Sequence, residues 1–278
     1  MPRLTVSRAV GTPDVELHYT DAGAGRPVVL IHGWPLSGRS WEAQTGPLVE
    51  AGFRVVTYDR RGFGESSQPW DGYDYDTFAA DLQGLLEHLD LRDVTLVGFS
   101  MGGGEVARYL GAYGSERVRS AVLAGAVTPF LGITDDNPDG AVDDATARQF
   151  LDGIATDRLA FLDGFVKDFF SAGGSLTVSE PLARFAWQIA STASPKGTAD
   201  CVRAFGGTDF RADLERVDVP VLVLHGDSDA IVPFEKSGKR VPQHVKDVET
   251  VVVSGGPHGF NASHPREFNA ALLAFLTR

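Results

Sequence analysis

Gly98-Phe99-Ser100-Met101-Gly102 spells G-x-S-x-G. A serine hydroxyl attacks a carbonyl poorly unless a tight turn exposes it, a helix N-terminus faces the developing charge and a base stands within hydrogen-bond reach. The pentapeptide has that setting, since the apolar run Val94–Val97 precedes it and a helical stretch begins near Gly103. Its glycines permit the turn. Outside a strand-turn-helix context the same five residues would mark only a glycine-rich helix start. Ser100 is therefore the candidate nucleophile.

The base must accept the serine proton, and a carboxylate must fix the base's tautomer and stabilise its cation. Two loops offer these groups. His225-Gly226-Asp227-Ser228-Asp229 follows the run Val219–Leu224, and Gly255-Gly256-Pro257-His258-Gly259 follows Val248–Val253. Both sit past the C-terminal end of a strand, where open α/β sheets place their sites. Of the histidines, His18, His88, His244 and His264 read as solvated and His225 as a strand-end hydrogen-bonding residue, and His258 is the preferred general base. Asp227 directly follows Gly226 and suits a turn cap. Asp229 is the preferred acid. His32-Gly33-Trp34-Pro35 follows a strand ending at Ile31, so the backbone N–H groups of Trp34 and Met101 are the expected oxyanion donors. The Trp34 ring also reads as pocket lining.

The elements that must position these groups alternate along the chain. Val15–Tyr19, Pro27–Ile31, Phe53–Tyr58, Val94–Phe99, Val118–Ala124, Val219–Leu224 and Val248–Val253 read as strands. Helices are predicted over Tyr75–Leu89 and Pro265–Leu276, each with apolar residues at helical spacing. This is the α/β pattern of a mostly parallel sheet flanked by helices. The alternation fails between about Pro129 and Asp213, where aromatic-rich helical segments replace the strands. The expected organisation is a core of residues 1–128 and 214–278 with a helical cap insertion over 129–213.

At 278 residues and 43% hydrophobic, one such domain buries a sizeable core. A net charge of -12 argues against nucleic-acid and anionic-membrane partners. No stretch reaches the roughly 18 apolar residues of a membrane span, and Met1–Val10 lacks a signal-peptide core, so a cytoplasmic location is the default expectation. Cys201 has no second thiol to pair with and reads as core packing. G-x-G-x-x-G, G-x-x-x-x-G-K-[ST] and H-E-x-x-H are missing, so neither a cofactor nor a metal is expected.

Taken together these stretches resemble the cofactor-free, non-haem haloperoxidases, the α/β-hydrolase-fold family that also holds aryl esterases, perhydrolases and γ-lactamases. The likeness runs over nearly the whole chain. It rests on the His32–Pro35 and Gly98–Glu105 stretches, on Tyr58-Asp59-Arg60-Arg61-Gly62-Phe63-Gly64 with Ser66-Ser67-Gln68-Pro69-Trp70, on Asp209-Phe210-Arg211 and on His225–Pro233. The resemblance implies Asp229 as acid, His258 as base, and Trp34 and Met101 as oxyanion donors. It implies pocket positions at Trp34, Phe99, Val127, Leu131 and Phe165, and further at Phe169, Phe205, Ile231 and Val232. Such an apolar set suits small uncharged acyl groups or lactam rings. It also implies that water converts the acyl-enzyme to an acid, hydrogen peroxide converts it to a peracid, and the peracid oxidises halide. In the family a proline after the tryptophan, here Pro35, accompanies perhydrolase activity. The insertion departs most from the family pattern, around Asp135–Thr146 and Ala172–Ser179, and leaves substrate preference open. Haloalkane dehalogenases and epoxide hydrolases normally carry an aspartate where this chain has Ser100. A non-catalytic ligand receptor on the same fold is the rival of another class, and a homo-oligomer stays open.

Overall fold

The runs Pro27–Ile31, Val94–Phe99 and Val221–Gly226 are buried along nearly their whole length, so they belong inside a sheet covered on both faces. The computed structural model describes residues 2–6 and 14–278. Part of the Met1–Val10 stretch, read as lacking a signal-peptide core, lies outside the described residues. The chain runs through β1 (Arg3–Val6), β2 (Val15–Gly23), β3 (Pro27–Ile31), α1 (Glu42–Glu50), β4 (Arg54–Tyr58), α2 (Tyr75–His88), β5 (Val94–Phe99), α3 (Met101–Tyr113) and β6 (Val118–Ala124). A helical segment follows, with α4 (Asp144–Phe169), a small hairpin of β7 (Ser171–Ala172) and β8 (Ser175–Leu176), then α5 (Glu180–Ser191), α6 (Pro195–Gly207) and α7 (Arg211–Leu214). The chain returns to the sheet with β9 (Val221–Gly226) and β10 (Val248–Val253) and ends in α8 (Phe260–Ser263) and α9 (Pro265–Leu276).

The eight-stranded sheet has the order β1-β2-β4-β3-β5-β6-β9-β10, antiparallel at β1–β2–β4 and parallel from β4 onward. The strand order reverses at β3 and β5. Ile31 pairs with Gly98 there, so the two strands end side by side and their following loops share the crevice where open α/β sheets hold ligands. Helix α2 shows how the cover is built. Asp74 caps it by accepting the Thr77 N–H at 2.9 Å, and Phe78, Leu82, Leu85 and Leu86 form its buried face. Each such side chain contributes about 1.5–3 kcal/mol on burial.

Several expected boundaries move for identifiable reasons. β9 begins at Val221 rather than Val219, because Pro220 has no N–H for a strand paired on both sides. It then continues to Gly226, which makes His225 a strand residue. β2 extends to Gly23, since its polar end pairs with β4 through the Thr20–Thr57 hydroxyls and the Asp21–Arg54 ion pair. β1 and the β7–β8 hairpin have no counterpart in the sequence reading. In α4 the chain kinks at Asp157 (φ −153°, ψ 91°), whose carboxylate accepts the Ala160 N–H at 3.0 Å and caps the second half. His18, expected in solvent, is buried with Nδ1 3.0 Å from Asp59 Oδ2.

Candidate active site

Ser100 lies between the end of β5 and the start of α3 with φ 53° and ψ −118°, a backbone that a non-glycine residue rarely adopts. The turn is this tight because its glycines let backbones touch. A Cβ on Gly98 would stand 2.3 Å from Gly102 O, and one on Gly102 2.4 Å from Ile31 O. The turn presents the Ser100 hydroxyl to the crevice. Met101 is the first residue of α3, so its N–H has no acceptor within the helix.

Ser100 Oγ is 2.9 Å from His258 Nε2, and His258 Nδ1 is 2.7 Å from Asp229 Oδ2. A carboxylate only accepts, so Nδ1 carries the proton and Nε2 faces the serine as an acceptor. Asp229 is buried in the turn after β9, where Oδ1 accepts the N–H groups of Ile231 and Val232 at 3.0 and 2.8 Å. Burial pushes its carboxyl up, but the facing His258, with hydrogen bonds from His225 and His258, outweighs this and holds it well below the usual carboxylate range. Asp227 turns the other way. Its Oδ1 accepts the Gly255 N–H at 2.7 Å and the Ser228 hydroxyl at 3.1 Å, which ties the β9 and β10 loops together. His225 is fully buried, with Nε2 2.8 Å from Val232 O and 3.2 Å from Asp229 Oδ2.

The Trp34 amide lies in the loop after β3. The Gly33 carbonyl, in the same peptide unit, accepts the Leu36 N–H at 3.0 Å and lies 2.9 Å from His32 Nδ1. Burial, reinforced by the Arg60 charge, holds His32 well below the usual histidine pKa. The Trp34 indole is buried, donates to Thr198 O at 3.1 Å and meets Phe165 edge-on at 4.9 Å.

Ser100 opens onto an apolar cavity of about 280 Å³. Of the expected pocket residues, Trp34, Val127, Leu131, Phe165, Phe205, Ile231 and Val232 line it. Phe99 and Phe169 are displaced from that role. Their rings flank His258 at 5.3 and 5.1 Å instead, Phe99 at the end of β5 and Phe169 at the end of α4. The cavity wall also takes Phe150 from the aromatic-rich helical segment, Pro233 from the end of the His225–Pro233 stretch, and Val142, Thr146, Asp168 and Val202, which no motif in the sequence marks. Thr146 and Phe150 are four apart in α4, a spacing that shares one helix face, so their common orientation was readable once that helix was placed. Among the described residues no three His, Cys, Asp or Glu side chains gather as a metal would require, and no helix is long and apolar enough to cross a membrane.

Residues 26–265 match the family described as alpha/beta hydrolase fold. A non-heme chloroperoxidase of Kitasatospora aureofaciens is 46% identical over 95% of this chain and 97% of its own. The bifunctional esterase/perhydrolase of Acinetobacter calcoaceticus is 38% identical over 94% and 96%. The crystal structure of a bromoperoxidase from Bacillus anthracis superposes with a TM-score of 0.96 at 57% identity, covering 100% of both chains. The extent of this likeness, together with the sheet order and the position of Ser100 within it, means that the chain belongs to the non-heme haloperoxidase family of the α/β-hydrolase fold.

Proposed function

We propose that the protein is a serine hydrolase that passes an acyl group from a small uncharged ester or amide, through Ser100, to water or hydrogen peroxide. The observation that supports this most is the unbroken line from Asp229 Oδ2 through His258 to Ser100 Oγ, with steps of 2.7 and 2.9 Å, opening into an apolar cavity. As Ser100 Oγ bonds to the carbonyl carbon, its proton passes to His258 Nε2 and the carbonyl electron pair moves onto oxygen. The Trp34 and Met101 amides receive that oxyanion. Asp229 stabilises the imidazolium without taking the proton. Collapse breaks the ester C–O bond, or the C–N bond of an amide or γ-lactam, and His258 returns the proton to the leaving group.

Water then gives a proton to His258 and attacks the acyl-enzyme, releasing a carboxylic acid and restoring the Ser100 hydroxyl. Hydrogen peroxide in water's place yields a peracid. In solution the peracid transfers its terminal oxygen to halide, giving hypohalous acid and the carboxylate, and this is the proposed source of haloperoxidase activity. Residues 129–213 act as the cap that selects the acyl group, and the apolar wall favours uncharged donors. A panel of p-nitrophenyl esters, γ-lactams, and peroxide with bromide tests the reading. Turnover of short esters, with bromination only when an acyl donor or carboxylic acid is present, is expected. Bromination by Ser100→Ala at the wild-type rate would overturn it.

A further inference from the structure

The acyl-transfer reading leaves the Arg60–Glu105 pair, fully buried beside the nucleophile turn, unused. Arg60 Nε donates to Glu105 Oε2 at 2.7 Å, and both side chains are 0% exposed. Burying two charges is expensive, and apolar side chains of similar volume are often as stable or more so. Arg60 is also incompletely satisfied. Its Nη1 has no hydrogen-bond acceptor among the described residues, and the guanidinium lies 5.2 Å from the centre of the Phe78 ring. Stability alone is a poor account of this pair, whereas its connections offer a better one.

Arg60 holds the loop after β3 at two points. Its Nη2 donates to His32 O at 3.0 Å, and its backbone N–H donates to His32 Nε2 at 3.0 Å. The second bond leaves the ring proton on Nδ1, which donates to Gly33 O at 2.9 Å. Gly33 C=O and Trp34 N–H belong to one planar peptide, so holding the carbonyl aims the amide. At its other end the pair reaches the nucleophile helix. Glu105 stands four residues after Met101 on α3, and its second oxygen accepts the Tyr58 hydroxyl. The two backbones already touch below this point, where Ile31 O approaches Gly102.

We infer that Arg60, Glu105 and His32 form a brace that sets the orientation of the Trp34 amide relative to the Met101 amide, which makes them positioning residues for acyl transfer. The inference rests on the assignment of those two amides as the oxyanion hole. One such donor is worth about 10²–10³ in kcat, so loosening its aim should cost about 10- to 100-fold. The brace touches no bound substrate, and KM should hardly move.

The test separates aim from stability. Tyr58→Phe/Arg60→Met/Glu105→Leu replaces the charged set with apolar side chains of similar size, and urea unfolding reports its stability. The expected result is a folded protein in which kcat for p-nitrophenyl acetate and affinity for a boronic acid, which forms a tetrahedral adduct on Ser100, fall by the same factor. Wild-type kcat and boronate affinity in the folded triple variant would overturn the brace. Should that variant not fold, Arg60→Lys keeps the charge but lacks the second nitrogen that reaches His32 O, and the same parallel loss per folded site is expected. Boronate affinity per folded site equal to wild type would then overturn it. Ser100→Ala keeps the two ideas apart: activity in that variant removes the acyl-transfer reading itself, whereas an inactive Ser100→Ala beside a fully active triple variant removes only the brace.

Discussion

Replacing Asp229 by Asn preserves volume and an Oδ1 acceptor for the Ile231 and Val232 amides, and it changes chiefly what faces His258. After proton transfer the imidazolium stands with its Nδ1 2.7 Å from the carboxylate oxygen. Two unit charges about 4 Å apart attract by about 4 kcal/mol at an effective dielectric near 20. That is a factor of about 10³ in rate. The Asn amide can also present an N–H where the imidazole needs an acceptor, turning His258 toward the wrong tautomer, and the same exchange in a Ser-His-Asp site costs about 10⁴ in kcat. The expected outcome is a loss of about 10³–10⁴ in acylation with little change in KM, read from the nitrophenol burst of p-nitrophenyl acetate. Asp227→Asn should instead act only through stability, and mildly: Asn keeps the Oδ1 that accepts the Gly255 N–H and loses only its charge, a cost of about 1 kcal/mol or less at this exposed contact. Equal catalytic damage from the two variants would refute the reasoning. The carboxyl also gives a pH signature. Because folding holds it below its ordinary value, the unfolded chain binds more protons between that lowered value and about 3.9, and stability rises with pH there. Its contribution is present in full above about pH 5 and is lost as pH falls through the folded value. The stability gap between wild type and Asp229→Asn should therefore narrow in acid, and a gap that widens below about pH 4 would contradict this.

Other outcomes follow from the same geometry. Ser100→Ala is expected to abolish ester turnover and to show no acyl adduct by intact-mass spectrometry. Ser100→Gly should be just as inactive yet more stable than Ser100→Ala by about 1 kcal/mol in urea, since only glycine takes φ 53°, ψ −118° without strain. Gly102→Ala should destabilise by more than about 3 kcal/mol or fail to fold, because its Cβ would stand 2.4 Å from Ile31 O, and a soluble, fully stable variant would refute the close approach. Dialysis against EDTA should leave ester turnover intact, because in the proposed mechanism Ser100, His258 and two backbone amides supply nucleophile, base and oxyanion donors; loss with rescue by a divalent ion would overturn that mechanism.

The neighbourhood of Ser100, Asp229 and His258 is legible in the sequence because each lies in the loop or turn that follows an apolar, β-branched run, and strand ends are where open α/β sheets place their sites. Long-range pairing is not legible in that way. His18 reads as a polar residue on an alternating strand, and only the fold brings Asp59 to its ring. Arg60 and Glu105 are 45 residues apart, and neither has a local pattern that announces a buried ion pair. Phe99 and Phe169 are correctly apolar, but apolarity alone does not distinguish a cavity wall from a support beneath the base. The insertion is legible as helical and not in detail, since the kink at Asp157 depends on one side chain capping a turn inside an apparently continuous helix.

The contacts of the insertion have a consequence for specificity. Phe169 closes α4, and its carbonyl accepts the Gly259 N–H at 2.8 Å while its ring meets His258 edge-on at 5.1 Å. Thr198 on α6 accepts the Trp34 indole N–H at 3.1 Å, and Phe165 on α4 packs against the same indole. The helices that line the cavity beside Ser100 thus also hold the ring of His258, the proposed base, and the side chain beside the Trp34 amide, a proposed oxyanion donor. A buried aromatic contact is worth about 0.5–1.5 kcal/mol beyond its area, and a shift of about 1.4 kcal/mol is tenfold in rate. Phe165→Leu is therefore expected to alter kcat together with KM for p-nitrophenyl esters, and a change in KM alone would refute the coupling through these aromatic contacts.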